Sequence, residues 1–112
     1  MTVEVSDATG SCRVDVPFGN EALGEHVTIA VLSGDILLAT EEPRSTSLRN
    51  RMHGTITAID DELNRTVVRV HSGVIWSASV TRQAVNELNL SESQKVWLAF
   101  KTHSCYLVDR SS

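Results

Sequence analysis

Apolar side chains fall on every second position through most of this chain, and that period constrains the fold more than any other feature. Cys12, Val14 and Val16 alternate with Arg13 and Asp15. Val27, Ile29 and Val31 share one face, and so do Val96, Leu98 and Phe100; Val68 and Val70 face away from Arg69 and His71. Successive strand residues point to opposite sides, so this spacing marks strands with one buried face. Val3 with Val5, and Cys105 to Val108, add short strands at either end. Turn chemistry separates the runs at Asp7-Ala8-Thr9-Gly10, at Pro17 with Gly19-Asn20, and at Ser72-Gly73. Ser33-Gly34-Asp35, leading into Ile36-Leu37-Leu38-Ala39, predicts a tight hairpin. Ile56 and Ala58 are placed on one face ahead of an acidic hairpin loop, Asp60-Asp61-Glu62-Leu63-Asn64. Trp76, Ala78 and Val80 are expected inward, Ser77, Ser79 and Trp97 outward.

One segment leaves the β rhythm. Thr81 is suited to cap a helix over Arg82–Leu88, with Ala84, Val85 and Leu88 on one helical face. Short strands with a single two-turn helix between them predict an all-β fold, an OB-like small β-barrel.

Several function classes are set aside by composition. The 112 residues fit one domain, or one small module with a companion subdomain, and 41% hydrophobic content is ordinary for a globular chain. A net charge of −4 and 4% aromatic residues argue against nucleic acid, which calls for a basic face and stacking platforms. No apolar run approaches a membrane span and the N-terminus lacks a signal-peptide pattern, so the expected location is cytoplasmic, without membrane insertion. Cys12 and Cys105 form no CxxC pair and the four histidines are scattered, which predicts reduced thiols and no metal. No nucleophile-elbow pattern and no phosphate-binding loop occur, so neither catalysis nor ATP binding is expected, and no cofactor.

Ser47-Leu48-Arg49-Asn50 carries the chemistry. A hydroxyl, a guanidinium and an amide stand within four residues where a strand begins, and such donors suit a tetrahedral oxyanion, which offers acceptors only. Each residue also has a plainer role open to it. Arg49 and Arg51 can pair with Glu41 and Glu42, Thr46 and Ser47 can cap a turn, Lys101 can be a surface lysine, and Thr81 can simply cap its helix.

The order of elements lifts the motif above these alternatives. Ser47, Arg49 and Asn50, then Gly54, Gly73, Val80-Thr81, Leu88-Asn89-Leu90 and Lys101, resemble the sequence of a Mop (TOBE-type) domain. The upstream stretch from Val27 to Ala39 resembles the region before that unit in the ATP-binding subunits of molybdate ABC transporters. The resemblance implies a small β-subdomain over 1–44 and an oxyanion-binding domain over 45–112. It implies a regulatory domain that binds molybdate or tungstate at Ser47, Arg49, Asn50, Thr81, Lys101 and Thr102, in a homodimer joined to an ATPase domain and membrane permease subunits. Anion binding in such a domain reports supply and restrains uptake. Three departures stand out: Leu48 replaces a small residue, Ala84 a serine, and Ser93 a frequent glycine. The first two favour the alternative, a dimerisation module without a working anion site.

Overall fold

The computed structural model describes residues 2–17 and 27–110. Among these are β1 (Thr2–Asp7), β2 (Gly10–Asp15), β3 (Val27–Val31), β4 (Leu37–Ala39), β5 (Asn50–Glu62), β6 (Arg65–Ser72) and β7 (Val74–Val80). The helix α1 (Arg82–Leu88), β8 (Lys95–Phe100) and β9 (Cys105–Arg110) complete the order. The expected all-β, OB-like architecture with one short helix is present. β4-β8-β5-β6-β7 form an antiparallel sheet, while β1 pairs with β2 and β3 with β9. β4 and β7 are its outer strands and do not hydrogen-bond to each other, so the barrel is not closed by a continuous ladder among the described residues. The sheet curls instead, and Ser33–Asp35, just before β4, packs against β7.

Alternation explains the core. Ile56, Val68, Val70, Ala78, Val96, Leu98 and Phe100 all point inward and are buried, joined by Val14, Val16, Val85 and Leu90. Burying a side chain of this size contributes roughly 1.5–3 kcal/mol, so these positions dominate the fold's stability. Trp76 packs beside Phe100 and donates its indole N–H to the Ser72 carbonyl at 3.2 Å. Trp97 faces outward, half-buried under a stacked His53 ring 4.8 Å away. Both cysteines are free thiols. Gly10 and Gly73 have positive φ and lie so close that a Cβ on either meets the backbone beside the other; the β1–β2 hairpin thereby docks on the turn between β6 and β7.

Three expectations change. Ser33-Gly34-Asp35 does not make a hairpin: β3 pairs with β9 and β4 with β8. A two-residue hairpin turn needs positive φ, and none of these three residues has it. They form a 3-10 turn between extended residues Leu32 and Ile36, which steps the chain from one sheet to the other. Second, the acidic loop is much shorter than expected. Asp60, Asp61 and Glu62 stay in β5, paired with Val67, Thr66 and Arg65, and only Leu63-Asn64 turn. Third, the register of β5 against β6 shifts between Ile56 and Ala58. That bulge reverses the phase of the strand, so Ile59 rather than Ala58 packs on the core. The turn expected at Gly19-Asn20 lies outside the described residues.

Candidate functional site

Asn50 opens β5 opposite Phe100, which closes β8. In an antiparallel pair the residues before one strand lie beside those after its neighbour. Ser47 and Arg49 therefore come to the same end of the sheet as Lys101 and Thr102, although about fifty residues separate them in the chain. Arg49 and Lys101 are exposed, and neither forms an ion pair with another described residue. Neither acid expected to neutralise the arginines forms an ion pair with Arg49 or Arg51 among the described residues. Glu42 pairs with Arg44 at 3.2 Å, and Arg51 donates to the Pro43 carbonyl at 3.1 Å. In the approach to β5, Thr46 Oγ1 accepts the Leu48 N–H at 3.1 Å, so Thr46 caps the turn and Ser47 stays exposed.

Asn50 is 4% exposed, and its side chain grips the end of β2. Its Oδ1 accepts the Asp15 N–H at 2.7 Å, and its Nδ2 donates to the Asp15 carbonyl at 2.9 Å. Pairing with a donor and an acceptor of one residue fixes which way the amide points. Thr102 donates its hydroxyl to Asp15 Oδ2 at 3.5 Å, and the Cys105 thiol lies 4.0 Å from the Asp15 carbonyl. Burial, then the Asp15 charge, pushes the Cys105 thiol upward, so it stays protonated and unreactive at neutral pH. Asp15 is the residue sequence reasoning missed. It reads as an ordinary outward position on an alternating strand, and nothing local marks its link to a residue thirty-five positions away.

Thr81 stands apart from the other five. It follows Val80, which pairs with Thr66, which in turn pairs with Asp61 at the far end of β5. From Asn50 to Asp61 the path along β5 is roughly 35 Å at the usual rise per strand residue. Thr81 Oγ1 accepts the Ala84 N–H at 3.0 Å, the capping bond its sequence position suggests. Its neighbour Arg82 pairs with Asp61 at 3.5 Å. Within one chain the cationic end and the helix cap thus lie at opposite ends of β5. No group of three or more histidine, cysteine or acidic side chains among the described residues is placed to hold a metal ion. No described helix is long and apolar enough to cross a membrane.

Residues 46–107 match the family model of the TOBE domain. The chain is 34% identical over 84 residues to the molybdenum import ATP-binding protein ModC of Haemophilus influenzae, which covers 73% of this chain and 24% of that protein. It is 36% identical over 78 residues to the molybdate/tungstate import ATP-binding protein WtpC of Pyrococcus abyssi, with coverages of 68% and 22%. The chain therefore spans about a quarter of the length of these relatives. Among solved structures it resembles the cytoplasmic molybdate-binding protein ModG in its molybdate-bound form, at a TM-score of 0.68 and 26% identity, over 75% of this chain and 62% of that one. Fold, motif order and relatives agree: the chain belongs to the TOBE domain family, akin to the C-terminal region of molybdate importer ATP-binding subunits.

Proposed function

We propose that this chain is an oxyanion-binding regulatory domain that takes molybdate or tungstate and carries no catalytic centre of its own. The observation that supports it most is the β5–β8 register: it brings Arg49, just before Asn50, and Lys101, just after Phe100, to the same end of the sheet, with no ion-pair partner among the described residues. Hydrogen bonds to a charged group are worth roughly 1.5–3 kcal/mol each, so a few such donors give useful affinity. Ser47, the remaining Asn50 N–H and Thr102 supply further polar contacts around them. Thr81 reaches that anion only from a second copy, so the site is completed in a homodimer whose subunits bring opposite sheet ends together. The domain works in the cytoplasm beside an ATPase domain and its permease subunits. Bound anion favours whichever transporter state closes the two half-sites, and so restrains uptake when supply is high. On this reading residues 1–44 form a β-subdomain that buttresses the anion-binding unit over 45–112.

One observation favours a second reading, a dimerisation module without an anion site. The side chains of Asn50 and Thr81 are both engaged in internal bonds, and Ala84 offers no hydroxyl. Calorimetric titration with molybdate beside sulfate separates the two. Saturable molybdate heat that Arg49→Ala or Lys101→Ala abolishes is expected; a folded dimer that gives heat with neither anion sinks the oxyanion reading.

A further inference from the structure

The β1–β2 hairpin lies outside the residues that match the TOBE model, yet it is fastened to that unit at two places. One is its turn. Gly10 and Gly73 approach so closely that a Cβ on Gly73 would run into the Ser11 carbonyl oxygen and come within 2.6 Å of Cys12 Cβ. Beside them Asp7 Oδ2 accepts the Ile75 N–H at 2.9 Å. The other is the end of β2, where the Asp15 N–H and carbonyl both bond the Asn50 amide, at 2.7 and 2.9 Å. From Gly10 to Asp15 the path along β2 is roughly 17 Å at the usual rise per strand residue. Between the fastenings Val14 is buried in the core and Cys12 packs against it. A paired strand with one buried face shifts as a unit, because a close-packed interior transmits a displacement rather than absorbing it.

We propose that the β1–β2 hairpin is a working part of the anion-binding end: its anchorage on Gly73 and Ile75 holds the Asp15 main chain against Asn50, so hairpin docking and anion binding favour each other. The proposal rests on the oxyanion reading above. Asn50 carries the link. With Oδ1 taken by the Asp15 N–H, the amide meets an anion through Nδ2 and not through an acceptor. Loosening the hairpin turn therefore lowers affinity at a distance, although neither Gly73 nor Asp7 is a candidate ligand. The coupling is reciprocal, so bound anion holds the hairpin down.

Calorimetric titration with molybdate, with the fold of each variant checked by circular dichroism, tests this. Gly73→Ala pushes the hairpin turn away and is expected to weaken binding about tenfold, within the usual range of coupling between sites. Asp7→Ala removes the bond to Ile75 and is expected to weaken it about threefold. Loss of a negative charge by itself tightens an anion, so weakening in Asp7→Ala has the sign that only the anchorage explains. Val67→Ala, a buried change on β6, is expected to leave the affinity of the folded protein within about twofold. By NMR, saturating molybdate is expected to slow exchange of the Asp15 amide proton at least about fivefold. Unchanged affinity in folded Gly73→Ala and Asp7→Ala, or equal weakening in all three variants, overturns the inference and leaves the oxyanion reading standing. Should Gly73→Ala not fold, Asp7→Ala and the exchange rate decide. No molybdate binding by the wild type overturns the oxyanion reading and the inference with it.

Discussion

The two ends of the five-stranded sheet treat charge in opposite ways. At the Asp61 end each acid of the strand has a partner: Asp60 with Arg69, Asp61 with Arg82 and with the Thr66 hydroxyl, and Glu62 with Arg65. At the Asn50 end, Arg49 and Lys101 have none among the described residues, and the polar side chains there converge on Asp15. Exposed ion pairs add little stability, commonly 0–1 kcal/mol, so the pairing at the acidic end chiefly cancels its field. The net charge of −4 conceals this asymmetry entirely. On the proposed function, the end whose cations lack an ion-pair partner among the described residues is where an anion would be drawn, whatever the sign of the whole molecule.

The strongest way to break that contrast is to remove both free cations. Arg49→Ala combined with Lys101→Ala is expected to weaken molybdate binding by more than about a hundredfold, the sum of two charge-assisted bonds. Urea unfolding of the same variant should change by no more than about 0.5 kcal/mol, as exposed positions without partners usually do. Retained binding in calorimetry would show that the basic end is not the site. Next in size is Asn50→Ala, which removes the amide's bonds to the Asp15 N–H and carbonyl. A stability loss of about 2–3 kcal/mol by urea titration is expected from these partly buried groups. A loss below about 0.5 kcal/mol would mean that water replaces the amide freely, and that the clamp does not shape this end.

At the opposite end, Thr81→Ala should cost about 1 kcal/mol in thermal unfolding by removing the helix cap, with Thr81→Ser restoring most of it. If Thr81 also meets an anion across a dimer, Thr81→Ala lowers molybdate affinity as well; unchanged affinity confines Thr81 to capping. The smallest effect concerns Asp7, which ties the β1–β2 hairpin to the Ile75 N–H on β7 at 2.9 Å. The Thr9 hydroxyl, the Ile75 and Thr9 N–H groups hold its carboxyl down, to about 2 from an ordinary 3.8. A depressed carboxyl contributes stability above its unfolded pKa and loses it as pH falls through the folded one. Acid titration of stability should therefore show a small drop between about pH 4 and pH 2 that Asp7→Asn removes. An unaltered acid limb in Asp7→Asn would assign the drop to other carboxylates.

Much of the secondary structure was legible because its causes are local. The strands of the sheet, the inward faces of β6 and β8, the Thr81 cap and the length of α1 all follow from residues within a few positions of one another. What failed was longer in range or a matter of one residue. The bulge at Thr57 is invisible to an alternation count, yet it exchanges the roles of Ala58 and Ile59. Gly34 resembled a hairpin residue, but pairing of β3 with β9 sends the chain onward instead. Ser93, where the family resemblance implies glycine, has φ of 71°, so the left-handed backbone that glycine favours is adopted here by a serine.

By itself, the sequence determined the class of fold, the family and the residue types available to meet an oxyanion. Period-two alternation, turn residues and one capped helix are properties of neighbouring positions, and they survive in any sheet order. Only the tertiary structure decided which residues meet. The Asn50–Phe100 register gathers Arg49 and Lys101 at one end, the length of β5 removes Thr81 to the other, and the β1–β2 hairpin delivers Asp15 between Asn50 and Thr102. Strand pairing is a choice among distant partners, settled by the burial of whole faces at once, and no short window of sequence contains it.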